Sequence, residues 1–296
     1  MSTATILLPD FLLILIGVAL MRVTDWGAAF WAGLEKMVYY VLFPALLFYS
    51  TARTPLDFNA TGKLLQVAVA VCLSGIALGW LAKPLFKPGP MLFESAVQTA
   101  FRFNSYIAFA MASRLAGEQG TALMALIVGF AVPICNIAAV HALAHKSGGL
   151  LKELAKNPLL IATAGGVLFN LTGLHLPEVI GAALTRMGNA SIALGLIMVG
   201  AGLRMAGVHT AKAMSFYFIA IKLLALPAIA LLLGRWIGLT PLQLQIAVAF
   251  SALPTASSAY VLAARMGGNA PLVAFIISAG TLVSIVTLPL WLSLAT

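Results

Sequence analysis

The sequence predicts an all-α polytopic membrane protein of ten transmembrane helices, built as two inverted five-helix repeats with broken crossover helices at spans 4 and 9. Three observations carry this. Of 296 residues, 62% are hydrophobic and 8% charged, against roughly half and a quarter in soluble proteins. The sparse charges leave apolar runs of about 20 residues, the length that crosses a hydrocarbon core of roughly 30 Å. The second half of the chain also echoes the first. A soluble globular enzyme is excluded. The net charge is +9, but Lys and Arg stand singly or in pairs between apolar runs, as in short loops that face anionic headgroups. The lipid bilayer is therefore the expected partner, and nucleic acid is not.

Charges, Pro, Gly and turn clusters divide the apolar runs. The first five spans are Ile6 to Met21, Trp31 to Thr51, Leu64 to Leu81, Leu92 to Arg114 and Thr121 to His145. Span 1 has no basic segment ahead of it and contains Asp10, the wrong composition for a cleaved leader, so it is read as a membrane helix. A basic amphipathic linker over 146–157 separates the halves 1–145 and 158–296. Spans 6 to 10 follow as Pro158 to Leu174, Ile180 to Leu203, Ala213 to Trp236, Leu242 to Arg265 and Ala270 to Leu294. Cys72 and Cys135 lie inside apolar runs, away from any metal-ligand spacing, and read as small buried hydrophobes. No metal and no cofactor is expected.

Orientation follows from the basic residues. The odd-numbered loops hold Arg22, Lys36, Lys83, Lys87, Lys146, Lys152, Lys156, Arg204, Lys212 and Arg265, and the even-numbered loops only Arg53, Lys63, Arg114 and Arg235. Ten against four places the odd loops in the cytoplasm and both termini outside the inner membrane. Arg102, Arg186 and Lys222 fall within helices instead.

The repeat has an offset of about 150 residues, and such internal similarity is the first thing to seek in a chain of this kind. Leu34, Lys36 and Met37 in span 2 match Leu184, Arg186 and Met187 in span 7. Ala108, Phe109, Ala112, Arg114 and Leu115 match Ala259, Tyr260, Ala263, Arg265 and Met266. Five spans per half is an odd number, so the copies cross in opposite directions, as in secondary transporters with a central site.

Such a site needs helices that break near the midplane, because freed backbone groups are tolerated only where they face a cavity or other protein. Span 9 carries Pro254 among Ser251, Thr255, Ser257 and Ser258. The proline cannot donate to the carbonyl four residues back and clashes with it. Span 4 carries Arg102, Asn104, Ser105 and Tyr106 at the matching place. Arg102 is about ten residues into its span, roughly 15 Å deep. An arginine there costs at least ~2.5 kcal/mol and faces a cavity or a partner. Two readings remain open: it binds the anionic substrate, or it pairs with Glu94, eight residues earlier on nearly the same face. Lys222, about ten residues into span 8, Asn136, after Pro133, and Glu94 are read as coupling or support residues. Asn170 and Asn189 read as interhelical glue. Asp10 and Glu94 are the only carboxylates expected at depth, so a carboxylate proton relay is thinly supported. Either H+ or Na+ can be the coupling ion.

These motifs resemble the auxin efflux carrier family, whose prokaryotic members include permeases for malonate and other organic acids, and which belongs with the bile-acid, arsenite and riboflavin transporters. The resemblance spans the whole chain. It rests on Tyr39 to Phe48 (YYVLFPALLF), Ala100 to Ala110 (AFRFNSYIAFA), Val132 to Ile137 (VPICNI), Lys156 to Pro177 and Gly188 to Leu203. It implies a scaffold of spans 1, 2, 6 and 7, a transport domain of spans 3–5 and 8–10, and a homodimer. It also implies a substrate pocket lined by Asn104, its neighbours, Pro254 and Thr255. Plant members carry Asn-Pro at the first crossover, whereas this chain reads Arg102, Phe103, Asn104 with no proline, which leaves open how far span 4 unwinds.

The resulting expectation is an elevator-type secondary transporter of a small organic anion such as malonate. Its site residues are Arg102, Asn104, Ser105, Tyr106, Pro254, Thr255 and Ser257, and none of them is catalytic. The alternatives are a carrier of an aromatic or neutral molecule, a channel or sensor, and an intramembrane enzyme. For the last, Leu73, Ser74 and Gly75 resemble the end of a GxSG loop, but Cys72 stands at its first position. The topology has a direct test. A reporter that is active only outside the cytoplasm should be active when fused after Thr296, and an active cytoplasmic reporter at that position would reverse the orientation.

Overall fold

The computed structural model describes residues 3–53, 58–143, 158–203, 211–265 and 267–296, and these are mostly helical, with no strand among them. The linker 146–157 and Arg204 lie outside the described residues, as do the side chains of Asp10 and Arg265.

Eleven helices are named here in chain order. They are α1 (Thr3–Val23), α2 (Ala28–Arg53), α3 (Phe58–Phe86), α4 (Pro90–Ala96, continued by the 3-10 turn Val97–Ala100), α5 (Ser105–Leu143) and α6 (Pro158–Leu171). The others are α7 (Glu178–Ala201), α8 (Lys212–Ile237), α9 (Pro241–Ser251), α10 (Ser258–Arg265) and α11 (Ala270–Leu294). By length and composition, six helical segments among the described residues are apolar enough to cross a membrane, and α4 with α5 counts as one of them. α6 has 14 residues and α9 has 11, about 21 and 17 Å at 1.5 Å per residue, each short of the hydrocarbon thickness.

Local chemistry sets the helix ends. Thr240 accepts from Gln243 N at 3.4 Å while Gln243 Oε1 accepts from Thr240 N at 3.2 Å, a reciprocal cap ahead of Pro241. Gly238, at φ 75°, closes α8 in the left-handed region, where a glycine carries no Cβ penalty. α5 turns sharply at Ala116 and Gly117, the latter at φ 53°, so its two arms occupy the two runs that the sequence separates there. Two π turns, Val38–Leu42 within α2 and Ile221–Ala225 within α8, were not legible in the sequence. Each widens the helix by one residue, a feature frequent at functional sites.

Two sets of contacts stand out, and α5 bridges them by packing on the second half of α2 and on α7 as well. α1 lies along α7, and the second half of α2 packs on both α6 and α7. In the other group α5 packs on α3 and α9, α8 packs on α3 and α9, and α11 reaches α4, α9 and α10. The α1–α7 contact is backbone against backbone. A Cβ on Gly200 would stand 1.8 Å from Ile14 O, and one on Gly17 would stand 2.0 Å from Ile197 O. Close approach through small residues supplies the van der Waals contact that holds helices together in lipid, where apolar burial gives no net drive. Gly200→Val should force α1 away from α7 and cost about 1–3 kcal/mol. A melting temperature equal to that of the parent protein in detergent would show that this contact is not tight.

Candidate functional site

The two breaks predicted in spans 4 and 9 are both present. Backbone leaves the helix between α4 and α5 at residues 101–104, and between α9 and α10 at residues 252–257. The two unwound segments meet: Asn104 N–H donates to Pro254 O at 2.9 Å. Thr255 Oγ1 donates to Thr99 O at 2.7 Å, Gln98 Nε2 donates to Ala259 O at 3.3 Å, and Phe103 and Phe250 stack edge to face with centroids 4.7 Å apart. The missing proline in span 4 does not prevent unwinding. Asn104 replaces it, because its Oδ1 accepts from Tyr106 N at 3.0 Å and Ile107 N at 3.2 Å and so starts α5 anew.

Since Oδ1 serves as the cap, Nδ2 of Asn104 is a buried donor without a hydrogen-bond partner among the described residues. Beside it, Arg102 is half-buried. Its guanidinium donates to Asn136 Oδ1 at 2.6 Å, to Gln98 Oε1 at 3.1 Å and to Ser258 O at 3.4 Å. Glu94 supplies none of these contacts, so the pairing weighed from the sequence is not formed. The amide of Asn136 does that work, and no carboxylate among the described residues forms an ion pair with the arginine.

Arg102, Asn104, Ser105, Tyr106, Asn136 and Ser257 line one cavity of about 370 Å³. Ser105 and Ser258 are the first residues of α5 and α10, so two helix N-termini also open on it, the ends that favour anions. The placement of Pro254 and Thr255 departs from the expectation. Both are buried in the crossing, with their polar atoms spent on Asn104 and Thr99, and residues 256–258 line the cavity instead. Lys222 and Glu94 also stand outside it. Arg186 and Asn189 are exposed on α7, and Asn170 donates to the carbonyls of Thr51 and Ala52 as interhelical glue.

The sequence reading missed the wall contributed by α2. Glu35, Lys36, Tyr39 and Tyr40 line the same cavity, next to or within the π turn. The Tyr39-Tyr40 pair within the quoted family stretch was the available signal. A second cavity of about 360 Å³ adjoins the first and shares Ala32, Glu35, Tyr106 and Ser257 with it. Its other walls are mainly apolar, among them Met21, Trp31, Met198 and Ile277. Tyr106 sits between the cavities with its ring 5.0 Å from that of Phe43, and it lies against Gly195 so closely that a Cβ there would stand 2.3 Å from the ring.

The family model described as membrane transport protein matches residues 140–292. The chain belongs to that family, the auxin efflux carriers that its motifs resemble. It is 25% identical over 299 residues to an uncharacterized transporter of Methanothermobacter thermautotrophicus, covering 98% of this chain and 97% of the relative. It is also 24% identical over 278 residues to a Rhizobium meliloti protein named as a candidate malonate transporter, covering 88% of this chain and 86% of that one. The chain is thus a multi-pass membrane transporter and not an enzyme.

Asn104 carries two separable duties, and two substitutions divide them. Asn104→Ala should remove the α5 cap and lower stability by about 0.5–2 kcal/mol. Asn104→Asp should keep the cap and the melting temperature yet lose ligand binding, because it removes the Nδ2 donor and adds negative charge. Thermal melting and equilibrium binding on both variants check this, and unchanged binding in the aspartate variant would free Nδ2 of any ligand role.

Proposed function

We propose that this transporter is an elevator-type secondary carrier that moves a small organic anion, with a carboxylate as the group recognised, across the inner membrane. One observation carries the reading. Arg102, which pairs with no carboxylate among the described residues, lines one cavity with Asn104 and with the N-termini of two helices, at the crossing of two broken helices. Each of these features favours negative charge, and together they hold donors in place before the anion arrives. The relative named for malonate supports a dicarboxylate of that size.

The breaks, at 101–104 and 252–257, stand about 150 residues apart, the offset of the sequence repeat, which supports ten crossings in two inverted halves. The packing groups support a scaffold of α1, α2, α6 and α7 and a moving body built from the remaining helices. The site lies between them, with α2 giving one wall and the crossing the other. Buried Ala108, Ala112, Ala259 and Ala263 let the moving helices pack closely. The cavity also borders the N-terminal part of α2 and the start of α6, which adjoin odd-numbered loops. By the charge bias of those loops this conformation faces the cytoplasm, and both termini lie outside.

The adjoining apolar cavity favours a second reading, a carboxylate with an aromatic or aliphatic body. Its head would stay at Arg102 while the body lies against Trp31 and Ile277.

Arg102→Ala should abolish saturable carboxylate uptake into proteoliposomes while the protein still reaches the membrane folded, since Asn136 and Gln98 can hydrogen-bond without it. Uptake at the parent rate would remove Arg102 from the site.

A further inference from the structure

Lys222 belongs to none of the cavities described above. It lies in the π turn of α8 and is 3% exposed, where a lysine able to reach an interface would extend to it. Its Nζ instead donates to Ser251 O at 3.0 Å. Among the described residues it forms no ion pair.

Ser251 is the last residue of α9 before the break. Its carbonyl stands at the negative end of a half-helix, where a cation is stabilised. In carriers with discontinuous helices, such carbonyl ends and the unwound carbonyls beside them coordinate the coupling cation. A metal cation bound there needs several of these oxygens at once. In this chain the protein's own donors hold them. Phe101 O accepts from Cys135 Sγ at 3.4 Å, Thr99 O from the Thr255 hydroxyl, Pro254 O from Asn104 N–H and Ser258 O from Arg102. The two carbonyl ends differ in one respect. That of α4 meets a neutral hydroxyl and a thiol, and that of α9 meets an ammonium group.

We propose that Lys222 is the resident cation of this carrier, holding the carbonyl end where a sodium ion would otherwise bind, so that carboxylate transport runs without sodium. This rests on the carrier reading given above, and it names the coupling at that same crossing. The lysine is a positioning residue. It fixes the C-terminal end of α9 and hence the placement of Pro254 O against Asn104, and it cannot leave with the substrate as a free ion does.

Two measurements test it. The first is the melting temperature of the purified protein in sodium chloride against choline chloride, which needs no substrate. It should be the same in both for the parent chain, whereas Lys222→Ser, which opens space and adds an oxygen, should be stabilised by sodium. The second is malonate counterflow in proteoliposomes. The parent rate should be equal with and without sodium, and Lys222→Met should lower it about tenfold or more, the loss of one charge-assisted hydrogen bond. Sodium-raised melting or counterflow in the parent chain would overturn the proposal, as would a parent-like rate in Lys222→Met. A folded Lys222→Ser that ignores sodium would count against it too. Should no carboxylate move under any condition, the carrier reading fails on its own, and the melting comparison still decides the role of Lys222.

Discussion

One backbone hydrogen bond, from Asn104 N–H to Pro254 O at 2.9 Å, fixes the geometry on which the site depends. Two chain segments leave the helical conformation inside a protein that must sit in lipid, where each unsatisfied polar group costs several kcal/mol. Neither break would persist alone. Each supplies what the other lacks: α4–α5 offers a free N–H and a free carbonyl at Thr99, and α9–α10 offers a free carbonyl at Pro254 and a hydroxyl at Thr255. Gln98 and Arg102 extend the exchange by donating to Ala259 O and Ser258 O. The crossing is thereby a closed set of polar groups within an apolar surround.

From that closure the polar surface left over acquires its meaning. Once the backbone is paired, the crossing presents Arg102, Asn104 and the first residues of α5 and α10 to the cavity, and Glu35 stands on its wall. α2 contributes the aromatic wall of Tyr39, Tyr40 and Phe43, the first two of them within its π turn. The tight contact through Gly17 and Gly200 holds α1 against α7.

Several features could be read from the chain before any fold was known. The membrane class came from composition, the breaks from Pro254 among hydroxyls and from Asn104 beside a deep arginine, and the family from five ordered motifs. Other features could not. Arg102 was weighed against Glu94 because both lie on one helix face, yet its partner is Asn136, 34 residues away on the far arm of α5. Pro254 and Thr255 were expected to face the substrate and instead face the backbone of the opposite break. Lys36 read as a loop charge, and packing carries it, with Glu35, to the cavity wall.

The sequence by itself determined what the lipid enforces. Run length, the cost of charge at depth, the loss of a donor at proline and the capping power of asparagine are properties of single residues in a known solvent, so they are legible locally. Only the tertiary structure decided which polar group meets which. Ser251 O meets Lys222, Thr99 O meets Thr255, and Asn136 meets Arg102 across 29, 156 and 34 residues. A hydrogen bond over such separations depends on how helices pack, and in lipid that packing turns on the close fit of small side chains, which no local pattern encodes.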